Sequence, residues 1–202
     1  MFHFNCKKNR GKRSTSGNLP LLLIVGLLFL SVSVPARTTV QIYTSMGSFS
    51  VLTYEDLVPI PSLNFINLVR NKFYDGMIFD RVVKDSLDQT GDPATNGKPN
   101  PPAIKDQYSP ALLHTQPGRI SMVSTGPGTA TSRFAIHMSP APQLNNRNAV
   151  FAQVTSGLNV ATAINQVPVD GNKKPITPVT LDSIRVTSDK TPITNLGTDV
   201  QF

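Results

Sequence analysis

The sequence predicts a mainly β fold: a closed antiparallel barrel of eight short strands, capped by two short helices and preceded by an N-terminal apolar helix. Three observations predict it. Apolar residues come in brief runs separated by turn residues, in a chain with 17 prolines, 13 glycines and no tryptophan. Only two segments carry apolar residues at helical spacing. Two helices cannot cover both faces of so large a sheet, whereas closing the sheet on itself removes the free strand edges.

A chain of 202 residues has room for one domain with a full core and short appendages. The segmentation is 1–36, a basic tail plus signal peptide or membrane anchor; 37–187, the barrel domain; and 188–202, a polar tail. Residues 1–18 hold Lys7, Lys8, Arg10, Lys12 and Arg13 and no acid. These five residues carry most of the net charge of +7; the other 14 basic residues nearly balance the 12 acids. The surplus therefore belongs to the tail, and the domain shows no basic stripe for nucleic acid. Residues 19–36, "LPLLLIVGLLFLSVSVPA", follow without a charge. A basic flank, an apolar run and small residues at its end are the pattern of a secretory signal. The run is also almost long enough to span a bilayer. Cleaved or retained as an anchor, it predicts an extracytoplasmic domain (secreted, periplasmic or lumenal), with a retained N-terminus in the cytoplasm. The single cysteine, Cys6, precedes the run, so no disulfide is expected in the domain.

The elements follow in order. Val40, Ile42 and Tyr43, a Met-Gly-Ser turn, then Phe49, Val51 and Tyr54 predict a hairpin. Leu63, Phe65, Ile66, Leu68 and Val69 predict a helix entered through proline, with Ser62 as its cap. An Asp-Gly turn leads to a strand from Met77. Residues 93–118 hold six prolines and little periodicity, which predicts one long ordered loop. Strands are expected at 118–123, 133–138 and 148–154. A second helix over 156–167 is capped by Ser156, a strand covers 179–186, and a polar tail runs from Thr187.

Residues 79–93, "FDRVVKDSLDQTGDP", place a guanidinium inside a strand that otherwise looks like core. Period-two alternation would put Phe79, Arg81 and Val83 on one face. From residue 40 to 186 the order of elements and several motifs resemble the cyclophilins, the barrel-shaped peptidyl-prolyl isomerases. "NFINLVRNKFYDGMIFDRVV" resembles the family's first helix and the strand after it. "QTGDP" resembles its Gln-Gly-Gly-Asp turn. "HTQPGRISMVSTGPGTATSRFAI" and "NAVFAQVTSGLNVATAI" resemble its central segment and its late strand and helix.

The resemblance implies Arg81 and Gln89 as the catalytic pair, with Arg81 the catalytic arginine and Gln89 the glutamine that positions it and the substrate. It implies a substrate groove built from Phe79, Ser86, Leu87, Val123, Ser124, Thr125, Arg133, Ala135, Gln143, Leu144 and Asn148. Ser86 and Ala135 stand where the family has its two pocket phenylalanines, Gln143 where it has tryptophan, and Asn148 where it has histidine. The implied activity is isomerisation of X-Pro bonds in proline-containing polypeptides outside the cytoplasm, by a monomer, without metal or cofactor. Losing two aromatic walls implies reduced activity. The alternative is a non-catalytic cyclophilin fold that binds proline-containing segments. Arg133 would either face the groove beside Arg81 or pair with an acid such as Asp88. Other chemistry is thin: His3, His114 and His137 lack metal-ligand spacing, and Ser121 and Ser124 have no His or Asp partners arranged for a triad.

Overall fold

The computed structural model describes Met1 and residues 37–188. The strands are β1 (Thr39–Thr44), β2 (Gly47–Thr53), β3 (Phe79–Val83), β4 (Leu87–Thr90), β5 (Arg119–Met122), β6 (Phe134–His137), β7 (Val150–Ser156) and β8 (Leu181–Ser188). The helices are α1 (Pro59–Arg70) and α2 (Leu158–Asn165). The strands form one antiparallel sheet in the order β3-β4-β6-β5-β7-β2-β1-β8. Strand and helix numbers match the expectation among the described residues. The N-terminal apolar helix and the residues from 189 onward lie outside them. Among the described residues, no helix is long and apolar enough to cross a membrane.

The expected closure is corrected. The sheet curls into a half-barrel whose ends, β3 and β8, share no continuous ladder. They meet through one bridge, Ile78 with Thr180, and flanking bonds from Leu181 N–H to Met77 O (2.7 Å) and Phe79 N–H to Val179 O (3.0 Å). Continuing that register would set Asp80 opposite Pro178, which has no N–H to donate. The loop after α2 takes over instead: Val82 N–H donates to Lys173 O at 2.7 Å. The edge of β3 is thus covered without being laddered.

Alternation places the core. Val40 and Ile42 of β1 and Phe49 and Val51 of β2 all point inward and are buried. Helix α1 starts at Pro59, whose fixed φ suits a first turn, with Val58 as its cap. Ser62, expected as the cap, lies inside the helix and is fully buried. Phe65 closes one end of the sheet: its ring lies 5.4 Å from Phe134, 5.1 Å from Phe151 and 5.5 Å from Tyr74. At α2, β7 runs through Ser156, and Gly157 rather than Ser156 is the cap. Gly157 has φ +75°, and a Cβ there would sit 2.8 Å from Ser48 O, so only glycine fits. Strand β8 extends to Ser188, so the tail does not start at Thr187.

Asn165 fastens α2 to β4. Its amide donates to Asp88 Oδ1 (2.7 Å) and Val83 O (3.0 Å), and its Oδ1 accepts from Asp85 N–H (2.6 Å). Asp88 is fully buried, its Oδ2 has no partner, and burial pushes its carboxyl up to about 7. The folded state therefore holds this proton more tightly than the unfolded chain, whose carboxyl titrates near ~3.9. The associated stability is complete below the unfolded value and is lost as pH rises through about 7. Urea denaturation of Asp88→Asn should show a flatter pH dependence and higher stability than wild type above pH ~7. Parallel pH profiles for the two proteins would contradict this assignment.

Candidate active site

Strand β3 does not alternate evenly. Phe79 pairs with Thr90, but Arg81 pairs with Gln89, so two steps on β3 oppose one on β4 and Asp80 is the extra residue of a bulge. The bulge changes the phase. Phe79 and Val82 both face the core, at 0% and 1% exposure, and Arg81 is exposed on the opposite face. This corrects the expectation that Phe79 shares a face with Arg81. Phe79 belongs to the core and does not line the groove.

The acids that could have bound Arg81 are committed elsewhere. Asp80 Oδ2 accepts from Arg133 Nη2 at 2.8 Å and from Gln89 Nε2 at 3.1 Å. Asp85 accepts from Gln166 at 2.9 Å. Among the described residues, no hydrogen bond or ion pair holds Arg81. Gln89 is nearly buried beside it. With its amide NH2 on Asp80, its carbonyl oxygen remains the free end. Arg133 also approaches Asp92 at 3.6 Å. It pairs with Asp80 and Asp92, not with Asp88, which faces the core. Burial raises the Asp80 carboxyl above its ordinary range, while Arg133 and Gln89 pull the other way.

Cross-strand pairing sets Arg81, Gln89, Ala135 and Ser121 in one row across β3, β4, β6 and β5. Ala135 is 3% exposed, and Ser86 and Leu87 are half-buried at the start of β4. The fold also supplies what sequence spacing did not: Ser121 Oγ lies 2.9 Å from His137 Nε2, both buried. The His137 ring meets the His114 ring edge-on at 4.7 Å, and His114 Nδ1 lies 3.0 Å from Asn145 Oδ1. Burial pushes His137 down to about 4, so its imidazole is neutral at neutral pH. Among the described residues no carboxylate bonds to either ring, and the pair is closed off from the surface. It braces the floor of the site.

A cleft of about 450 Å³ gathers four of the expected groove residues, Ser124, Thr125, Leu144 and Asn148, with Tyr108, Gly126, Pro127, Asn146 and Arg147. Asn148 Nδ2 is fixed on Met122 O at 2.8 Å. Val123 is half-buried, its N–H bonded to Arg133 O at 2.9 Å, and Gln143 is exposed. Sequence reasoning missed Tyr108. It comes from the proline-rich loop, and its hydroxyl donates to Arg147 O at 3.2 Å. Its only sequence signal is a lone aromatic in a polar loop. A second cleft, about 340 Å³, lies between the β1–β2 turn and residues 167–179, and no charged side chain lines it. Among the described residues no cluster of His, Cys, Asp and Glu is placed to hold a metal ion.

The family model for cyclophilin type peptidyl-prolyl cis-trans isomerases matches residues 39–186, nearly the whole described domain. The chain belongs to the cyclophilin family. This cyclophilin is 32% identical over 157 residues to a Neurospora crassa protein named peptidyl-prolyl cis-trans isomerase-like 1, covering 76% of this chain and 96% of the other. It is 31% identical over 176 residues to the probable peptidyl-prolyl cis-trans isomerase A of Mycobacterium leprae, covering 78% and 97%. A crystal structure of a Cryptosporidium parvum cyclophilin, obtained in the presence of the dipeptide Ala-Pro, superposes with a TM-score of 0.71 at 28% identity, covering 75% and 99%.

The buried brace makes a stability prediction for this cyclophilin. Ser121→Ala leaves the His137 ring nitrogen unpaired in the interior and should cost about 1–3 kcal/mol in chemical denaturation. An unchanged midpoint would mean that the Ser121–His137 bond contributes nothing to the fold.

Proposed function

We propose that this cyclophilin isomerises X-Pro bonds of extracytoplasmic polypeptides, as a monomer, at a rate below that of a member with an aromatic pocket. The observation that carries the reading is the exposed Arg81 guanidinium, unpaired among the described residues, on a strand beside Gln89. Rotation about a peptide bond meets a barrier of about 18–20 kcal/mol because conjugation is lost on the way. The reaction needs neither a nucleophile nor a cofactor, only tighter binding of the twisted amide than of either planar form. A donor aimed at the prolyl nitrogen holds the lone pair that twisting releases. Arg81 supplies that donor, with no salt bridge among the described residues to break first. Gln89 offers its carbonyl oxygen next to it. The cleft at Leu144 and Asn148, with Tyr108 in its lining, holds the rest of the peptide.

The reduced rate follows from Ser86 and Ala135. An aromatic wall buries about 150–250 Å², which neither residue can replace, and Tyr108 restores one aromatic side chain to the cleft. Location outside the cytoplasm rests on the basic tail and the apolar segment 19–36, retained or cleaved. The monomer reading rests on the covered edge of β3. The small side chains at Ser86 and Ala135 favour the second reading, a binding module without turnover.

The test is isomerisation of an X-Pro tetrapeptide, followed by NMR exchange or protease coupling. Arg81→Ala should lower kcat/KM by about 100-fold, the usual order for one transition-state donor. Wild-type turnover no faster than that of the variant would leave only the binding module. The double substitution Ser86→Phe with Ala135→Phe should raise kcat/KM by about tenfold or more through proline burial. No gain would mean that the groove does not hold proline at this position.

A further inference from the structure

We infer that Asp80 is the positioning residue of this groove: its carboxylate, held by Arg133, fixes the Gln89 amide and is kept off the neighbouring Arg81. The inference rests on the isomerase reading and names how its donor is kept free. Asp80 is the bulge residue, one position from Arg81 and on the strand edge beside Gln89. An acid adjacent to the only unpaired guanidinium of the row would ordinarily bind it. Here one oxygen, Oδ2, receives both Arg133 Nη2 at 2.8 Å and Gln89 Nε2 at 3.1 Å. The Asp80 side chain is only 15% exposed, and Asp80 Oδ1 and Arg133 Nε are buried without partners. The pair is therefore partly desolvated and sensitive to loss of either member. Asp92, 3.6 Å from the other terminal nitrogen of Arg133, holds the guanidinium from the far side.

Two consequences follow. The Gln89 amide takes a single orientation, NH2 toward Asp80 and carbonyl oxygen away from it. Arg81 remains unneutralised because Arg133 satisfies the acid in its place. Removing Arg133 releases Asp80 to pair with Arg81, which withdraws the donor from the substrate. Removing the charge of Asp80 as well releases Arg81 again.

This predicts a reciprocal pattern that a merely structural pair would not give. Arg133→Gln should lower kcat by about tenfold with a smaller effect on KM, since it removes a transition-state interaction rather than uniform binding. Asp80→Asn added to Arg133→Gln should restore most of that loss. Arg133→Gln at wild-type kcat, or a double variant no faster than Arg133→Gln, would overturn the inference. Thermal melts of each variant separate lost fold from lost positioning. The Arg81 Nε–Hε NMR signal gives a readout without turnover: in Arg133→Gln its exchange with water should slow as Asp80 binds it, and the added Asp80→Asn should reverse this. If wild type shows no Arg81-dependent turnover, the isomerase reading fails, and this signal alone decides the clamp. An Arg81 signal identical in all three proteins overturns it.

Discussion

Phe79 and Val82 both sit in the core, three positions apart on a strand whose even alternation would turn one of them outward. The bulge at Asp80 reconciles them, and the groove depends on it. Burial of two large apolar side chains is worth about 1.5–3 kcal/mol each, so the core fixes the phase on both sides of the extra residue. Arg81 is then exposed by necessity, opposite Gln89. A guanidinium could not have been tolerated in that strand facing the other way.

The same constraint organises the charges. A bulge residue points away from the regular ladder, and Asp80 uses this freedom to reach Arg133 across β4. The outer face of β4 and β6 thereby carries a closed set of charges next to an open one. Arg133 is paired with Asp80 and approached by Asp92, and Arg81 is left to what arrives from solution. Farther along the same face, Ser121 and His137 bond across β5 and β6, and with His114 they form a neutral, buried group that adds no charge.

Much of this could be read from the residues. The β1–β2 hairpin, both helices and every strand but β4 follow from alternation and from Gly and Pro turns, signals that local chemistry writes directly. The Arg81 and Gln89 pair was legible through its motif. The bulge was not, because Asp80 is neither Gly nor Pro and one inserted residue leaves no compositional mark. The open edge was half legible: Pro178 is visible in the sequence, but only the topology reveals that it would face Asp80. Tyr108 and the Ser121–His137 bond depend on long-range placement, a loop residue that lines the cleft and a diagonal contact between paired strands. The segment 19–36 remains an expectation carried by composition alone.

Arg81 is proposed as a free donor for a prolyl amide. A structure determined with a bound Ala-Pro-containing peptide tests it most directly. The X-Pro amide should lie within hydrogen-bond distance of the Arg81 guanidinium, with the Gln89 carbonyl oxygen turned toward the peptide and the Asp80–Arg133 pair intact. A peptide seated away from Arg81, or an Arg81 drawn onto Asp80 in the complex, would contradict it.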